Sequence, residues 1–185
     1  MTCIETISLI LSLLALMLSL VTFWYVSLRK GKVTVENPVS FKSFGSPGKK
    51  ERIPIRLPLV ISNTGSKTKI LSRLSLVEKD NARIFNYSAF LDDVTKLDED
   101  KRSPPKPIIL PSFSSTLVYI EFQSDEIVFE FTDKPVEFIL QSKINSSKKE
   151  VIIGNLRLQV PSELIKQINQ EMIMVENTSH KKGDM

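Results

Sequence analysis

RIPIRLPLVISN, residues 52–63, alternates apolar side chains with other residues along almost its whole length. The alternating apolar residues are Ile53, Ile55, Leu57, Leu59 and Ile61. A period of two is typical of a strand that buries one face. Pro54 and Pro58 fall on the other face, and because proline has no amide hydrogen they indicate an edge strand or a bulged start. The segment therefore predicts a β-strand packed on a core.

The residues on either side of this strand continue the β pattern. Residues 63–66 are predicted to form a tight turn in which Gly65 supplies a positive φ. The return strand KILSRLSLVEK, residues 69–79, is predicted to turn Ile70, Leu74 and Leu76 inward. Further strands are predicted at 82–91, 115–123, 127–131, 135–144 and 150–160, the last two joined by a hairpin turn at 145–148.

Seven or eight short strands without a helical pattern between them indicate an antiparallel β-sandwich over residues 29–161. The piece PLVISNTGSKTKILSRLSLVE, followed by ILPSFSSTLVYIEF, resembles the immunoglobulin-like domains of single-span, membrane-anchored bacterial proteins of unknown function. The resemblance is limited to residues 53–122. It implies an immunoglobulin-like sandwich and supplies no activity.

Three further segments complete the expected organisation. Residues 92–107 are polar and proline-rich and predict a long connection between strands. Residues 162–176 place apolar side chains on one helical face and predict a short amphipathic helix. That helix could contact a partner or a membrane, or pack on the sandwich. Residues 177–185 are expected to be a disordered tail.

The N-terminal segment predicts a transmembrane helix over residues 4–28. Thr6–Leu28 is a run of 23 residues without a charge, proline or glycine. A helix of that length spans the hydrocarbon core of a bilayer, about 30 Å. A cleaved signal peptide is less consistent, because the first residues carry no lysine or arginine and no cleavage site of small residues follows. A buried core helix of this length without a charge is unusual.

Aromatic residues and cations mark the C-terminal end of the span. Six residues are predicted to anchor it at the membrane interface: Phe23, Trp24, Tyr25, Arg29, Lys30 and Lys32. The N-terminal flank has no side-chain cation, so the positive-inside rule predicts a cytoplasmic domain on a single-pass protein of the inner cell membrane. An extracytoplasmic domain is the alternative.

The charge of the chain is unevenly distributed. Residues 29–83 contain 13 lysines and arginines but only 4 acidic residues. This excess indicates either attraction to anionic lipids or cations that decorate the outward faces of strands. No basic stripe with interleaved aromatic residues is present, so nucleic acid is not an expected partner.

Residues with catalytic or metal-binding chemistry are scarce. The single histidine, His180, lies in the predicted tail, and Cys3 is the single cysteine. No phosphate-binding glycine motif is present, and the acidic residues of 92–100 lack the spacing of a calcium loop. We therefore expect no catalytic residues, no metal site and no cofactor.

These observations predict a membrane-anchored, non-enzymatic binding or scaffolding protein. Its partners would be the lipid bilayer and another protein or a second copy of the chain. Sheet edges and the 92–107 connection are the expected contact surfaces. The alternative is an extracytoplasmic envelope domain that stabilises a membrane complex through its span.

Overall fold

The alternating segment lies in a long strand, β3 (Ser46–Asn63), in the interior of an antiparallel sheet. Its five alternating apolar side chains are fully buried, as the period of two predicts. The structure is a computed structural model that describes residues 3–91 and 102–179. The protein is mainly β, with one long apolar helix at the N-terminus.

Eleven strands and two α-helices are formed by the described residues. The N-terminal helix α1 (Cys3–Phe23) continues into a π-helical turn (Trp24–Leu28), and a 3₁₀ turn (Ser162–Leu164) precedes α2 (Ile165–Ile168). The other strands are β1 (Val33–Val35), β2 (Ser40–Ser43), β4 (Lys69–Glu78), β5 (Ile84–Leu91), β6 (Arg102–Ser103), β7 (Ile108–Leu110), β8 (Ser114–Phe129), β9 (Val136–Ile144), β10 (Glu150–Leu158) and β11 (Ile173–Glu176).

The strands form one curled antiparallel sheet with the shape of a half-barrel. Their order is β10-β9-β4-β5-β8-β3-β2-β11, with β1 beside β3, β6 beside β5 and β7 beside β4. The predicted immunoglobulin-like sandwich of seven or eight strands is not confirmed, because hydrogen-bonded pairing joins all these strands into a single sheet. The predicted strands 115–123 and 127–131 are one strand, β8, since pairing with β3 continues through Ser124 and Ile127.

Asparagine side chains connect the two ends of the curled sheet. The amide of Asn37, between β1 and β2, donates to the Arg157 carbonyl at 3.0 Å and accepts from the Arg157 amide at 2.7 Å. Asn177, which follows β11, accepts from the Gln159 amide at 2.9 Å. The two side-chain amides take the place of the backbone groups that a neighbouring strand would offer to the outer edge of β10. They satisfy hydrogen bonds at that edge without a strand pairing that would close the barrel.

Pro58 is compatible with an interior strand because its nitrogen, which has no hydrogen to donate, faces a gap between two neighbouring strands. The Glu36 amide donates to the Val60 carbonyl, so the backbone groups of even-numbered β3 residues face β1 and β2. On that side β2 pairs with residues 55–56 and β1 with residues 61–63, and Pro58 lies between them. The predicted edge position of this strand is therefore wrong. The alternative, a bulged start, is confirmed, because the register with β8 shifts between Ser46 and Glu51 and again between Glu51 and Ile53.

A bulge in β4 changes which side chains enter the core. Arg73 has a positive φ of 51°, and the register with β9 shifts between Ser72 and Ser75. Leu71 is fully buried, whereas Ile70, predicted to face inward, is 42% exposed. The bulge inverts the alternation, so Leu74 and Leu76 remain buried as predicted.

The predicted helix over residues 162–176 is wrong beyond its first turns. The side chain of Asn169 bonds both backbone groups of Phe131, and the Gly45 amide donates to the Ile168 carbonyl at 2.7 Å. The bond from Gly45 occupies the Ile168 carbonyl, a group that would accept from the next helical turn if the helix continued, and the Asn169 bonds fix its side chain to Phe131. Residues 173–176 instead pair with β2 as the strand β11.

Two other predicted segments are described only in part. In the expected disordered tail, Asn177 is buried and the Thr178 amide donates to the Gln159 carbonyl, so residues 177–179 are part of the fold. Residues 180–185 lie outside the described residues. In the predicted connection 92–107, β6 pairs with the end of β5, and residues 92–101 are not described.

Candidate membrane-proximal site

The N-terminal helix projects from the β domain with its side chains exposed. Thr6–Leu28 is long and apolar enough to cross a membrane, and none of it is buried in the protein. This composition is typical of membrane spans and of signal sequences. The helix ends in the π-helical turn, which closes with a bond from the Arg29 amide to the Trp24 carbonyl.

Two of the predicted interface residues contact each other at the end of the helix. The Tyr25 ring stacks on the Phe113 ring, with centroids 5.7 Å apart and planes within 8°. The Arg29 guanidinium lies 4.9 Å from the centroid of the Tyr25 ring, a cation–π distance. Phe23, Trp24, Lys30 and Lys32 are exposed around this contact.

The chain between the helix and the sheet is hydrogen-bonded to the domain. The Arg29 carbonyl accepts from the Ser66 amide at 3.0 Å and from the Ser66 hydroxyl at 2.9 Å. The Lys32 carbonyl accepts from the Thr64 amide at 3.0 Å, and the Thr64 hydroxyl accepts from the Lys32 amide at 2.9 Å. β1 begins at the next residue, so the connection has no free linker. We call residues 29–32 and 63–66 the joint.

Two glycines allow the backbones of the joint to cross. Gly31 has a φ of +57°, and a Cβ on Gly65 would overlap the Lys30 carbonyl oxygen. Gly65 does not have a positive φ, so the predicted reason for this glycine is wrong. It is required because the helix connection passes over its Cα without space for a side chain.

Asn63 holds the joint to the loop that carries Phe113. Its buried side chain donates to the carbonyls of Lys67 and Pro111, both at 2.9 Å, and accepts from the Gly65 amide at 3.0 Å. The Phe113 amide donates to the Gly65 carbonyl, and Phe113 has a φ of +50°. A strained φ at a bulky residue is common at functional positions. The sequence carries no local signal that pairs Phe113 with Tyr25.

A cleft of about 600 Å³ lies beside the β4 bulge. It opens where β4 changes partner from β7 to β5, and prolines 105 and 107 line its rim. Arg73, Asn86 and Gln141 contribute polar groups. Burial raises the pKa of Tyr87, whose hydroxyl lies 3.4 Å from the Lys106 backbone. The cleft thus combines apolar walls with a few polar groups, as binding sites do.

A buried ionic cluster joins neighbouring strands on the outer face of the sheet. The Arg56 Nε atom lies 2.7 Å from Glu121 Oε2, and both side chains are less than a tenth exposed. Ser88 donates to Glu121 Oε1 at 3.1 Å, and the Arg102 guanidinium lies 3.7 Å from Oε2. Each charge has an opposite partner, so the cluster is a structural link between β3, β5, β6 and β8.

Within residues 3–91 and 102–179, no group of three or more histidine, cysteine or acidic side chains is arranged to hold a metal ion. The acidic run of 92–100 and His180 lie outside the described residues. No protein-family model and no curated protein matches the chain. The joint and the cleft are therefore the features on which a function can be argued.

Proposed function

We propose that the chain is a single-pass membrane protein in which α1 spans the bilayer and the β domain is a non-enzymatic binding or scaffolding module. The observation that carries this proposal is the joint. An exposed apolar helix ends in aromatic residues and cations, and the next residues are hydrogen-bonded to the domain. A scaffold gains from such a connection because it fixes the distance between the membrane and the binding surface.

The proposal includes a cytoplasmic domain on the inner cell membrane. Arg29, Lys30 and Lys32 support this orientation through the positive-inside rule. The antiparallel β architecture also supports a relationship to membrane-anchored bacterial proteins with immunoglobulin-like domains, although a single curled sheet differs from a two-sheet sandwich.

Labelling of single cysteines with a membrane-impermeant maleimide tests anchor and orientation. The native chain offers Cys3, and Ser162→Cys in a Cys3→Ser background places an exposed thiol on the domain. We expect Cys3 to react in intact cells and position 162 only after lysis. The reverse pattern would support the extracytoplasmic envelope domain instead. A mature chain whose mass lacks residues 1–28 would overturn the anchor.

The cleft beside β4 is the surface that we propose for a protein partner. A photo-crosslinking amino acid that replaces Asn86 would lie in the cleft. The same amino acid in place of Glu163, which is exposed and does not line the cleft, is the control. We expect a specific crosslink from position 86 that Arg73→Glu weakens. A product of twice the mass would identify self-association. Equal crosslinking from both positions would reject the cleft as the binding surface.

A further inference from the structure

Three loops meet at the end of the domain where α1 enters. The Asn63 side chain joins the loop after β3 to the loop after β7. Asn145 joins the β9–β10 hairpin to β4, since its amide donates to the Ile70 carbonyl at 2.7 Å and its side chain accepts from the Ile70 amide. We call residues 29–32, 63–70, 109–115 and 144–150 the membrane-proximal face.

The membrane-proximal face is strongly basic. Its seven cations are Arg29, Lys30, Lys32, Lys67, Lys69, Lys148 and Lys149, and its one carboxylate is Glu150. The loops at the opposite end, residues 44–52, 79–83, 130–135 and 159–172, also contain seven cations but balance them with six carboxylates. The two ends of the domain therefore differ in net charge, and the end beside the helix has the large excess of cations.

Apolar side chains are exposed among these cations. Phe113 is 46% exposed at the end of the helix, and Ile70 and Ile109, which are cross-strand neighbours, are 42% and 61% exposed. Lysines interspersed with exposed aromatic and aliphatic residues are typical of surfaces that bind the lipid headgroup region.

We propose that the membrane-proximal face binds the anionic phospholipid headgroups of the leaflet in which α1 ends. This inference rests on the proposed membrane anchor. The joint has no free linker, and the Asn63 and Asn145 bonds hold the other loops of the face at the same end of the domain. The surface potential of an anionic leaflet has a short range, and this placement turns the cations of the face toward it. A lipid surface is favoured over a protein partner because the face is continuous with the interface residues of the helix.

The test uses the full chain in nanodiscs of phosphatidylcholine, with or without phosphatidylglycerol. An environment-sensitive fluorophore is attached at Ser146→Cys, an exposed position of the hairpin, in a Cys3→Ser background. Lys148→Glu/Lys149→Glu reverses two exposed cations of the face. Lys49→Glu/Lys50→Glu makes the same charge change at two exposed adjacent lysines of the opposite end. Trp24 is the single tryptophan, and its quenching by lipid-attached quenchers reports insertion of the helix independently.

We expect lipid-attached quenchers to reach the fluorophore more strongly in the anionic discs than in the neutral discs, with the difference reduced at high salt. The Lys148/Lys149 variant should lower the equilibrium ratio of the lipid-contacting to the water-exposed state of the face by roughly fivefold or more per cation, and the Lys49/Lys50 variant should leave that ratio unchanged. A fluorophore that stays in water while Trp24 is quenched would overturn the inference and leave the anchor intact. Equal effects of both variants, or equal quenching of the fluorophore in neutral and anionic discs, would also overturn it. An unquenched Trp24 would overturn the proposed function itself.

Discussion

At the scale of the residue, Gly48 and Gly65 are glycines for different physical reasons. Gly48 has a φ of +75°, and a Cβ added there would have no atom within 4 Å, whereas a Cβ on Gly65 would overlap the Lys30 carbonyl. Gly48→Ala should cost about 1 kcal/mol of stability through its backbone conformation alone. Gly65→Ala should cost about 2 kcal/mol or more, because backbone atoms must move apart.

Thermal unfolding of the full chain in detergent micelles, followed by circular dichroism, compares the two glycine variants. Gly65→Ala should also separate Tyr25 from Phe113, since the joint must open to admit the new methyl group. An equal loss of stability in both variants would contradict the close crossing at Gly65.

The buried Arg56–Glu121 pair predicts a strongly non-additive pair of substitutions. Arg56→Met alone leaves Glu121 buried beside a more exposed Arg102 and should cost about 3–5 kcal/mol. Adding Glu121→Leu removes the buried carboxylate, which the half-exposed Arg102 compensates only in part, and should recover most of that loss. Urea unfolding of the wild type, the two single variants and the double variant measures the coupling. Additive losses would show that the pair does not act as a unit.

At the scale of the element, the β4 bulge stores backbone strain at Arg73. An arginine at a φ of 51° is unfavourable compared with glycine, so Arg73→Gly should stabilise the fold by about 1 kcal/mol. Ser72→Gly is the matched control in the same strand, and it should destabilise the fold by about 0.5–1 kcal/mol because Ser72 has no positive φ. Thermal unfolding of both variants checks the difference in sign. A loss of stability in Arg73→Gly would argue against the bulge.

The C-terminal segment behaves as an element of the core. Ile168 and Val175 are buried, and β11 covers the edge of β2. A chain that ends at Pro161 should lose about 3–6 kcal/mol from these two side chains alone, which is comparable to the stability of a whole domain. We expect it to aggregate in size-exclusion chromatography, whereas a chain that ends at Ser179 should elute and melt like the full chain. Recovery of a folded protein ending at Pro161 would contradict the assignment of β11 to the core.

At the scale of the whole molecule, short-range patterns could be predicted from the sequence and long-range pairing could not. The alternation in residues 53–61 and the hairpin at 145–148 depend on neighbours in the chain. Residues 162–176 fit a helical period, but the Asn169–Phe131 bonds and pairing with β2 determine their structure. Aromatic and charged character singles out Tyr25 and Arg29 as interface residues, which stays a prediction, whereas Phe113, the ring that stacks on Tyr25, is remote in sequence. Sequence reasoning misses the Arg56–Glu121 link for the same reason.

The joint predicts that helix and domain move as one body. Spin labels at Ser19→Cys in the helix and Ser162→Cys at the far end of the domain, in a Cys3→Ser background, report their separation by double electron–electron resonance. The wild-type chain should give one narrow distance distribution, because residues 29 and 32 are bonded to Ser66 and Thr64. Phe113→Ala with Ser66→Ala removes the ring stack and the hydroxyl bond and should broaden it.

Val39→Ala is the control for this measurement, because Val39 is 68% exposed and lies away from the joint, so its truncation should leave the distribution narrow. A distribution that is already broad in the wild type would show that the hydrogen bonds of the joint open in the membrane. The domain would then be connected to the helix flexibly, and the distance between the bilayer and the surface that binds a partner would vary. A narrow distribution that only the joint variant broadens would establish the fixed geometry on which both the scaffolding role and the lipid contact depend.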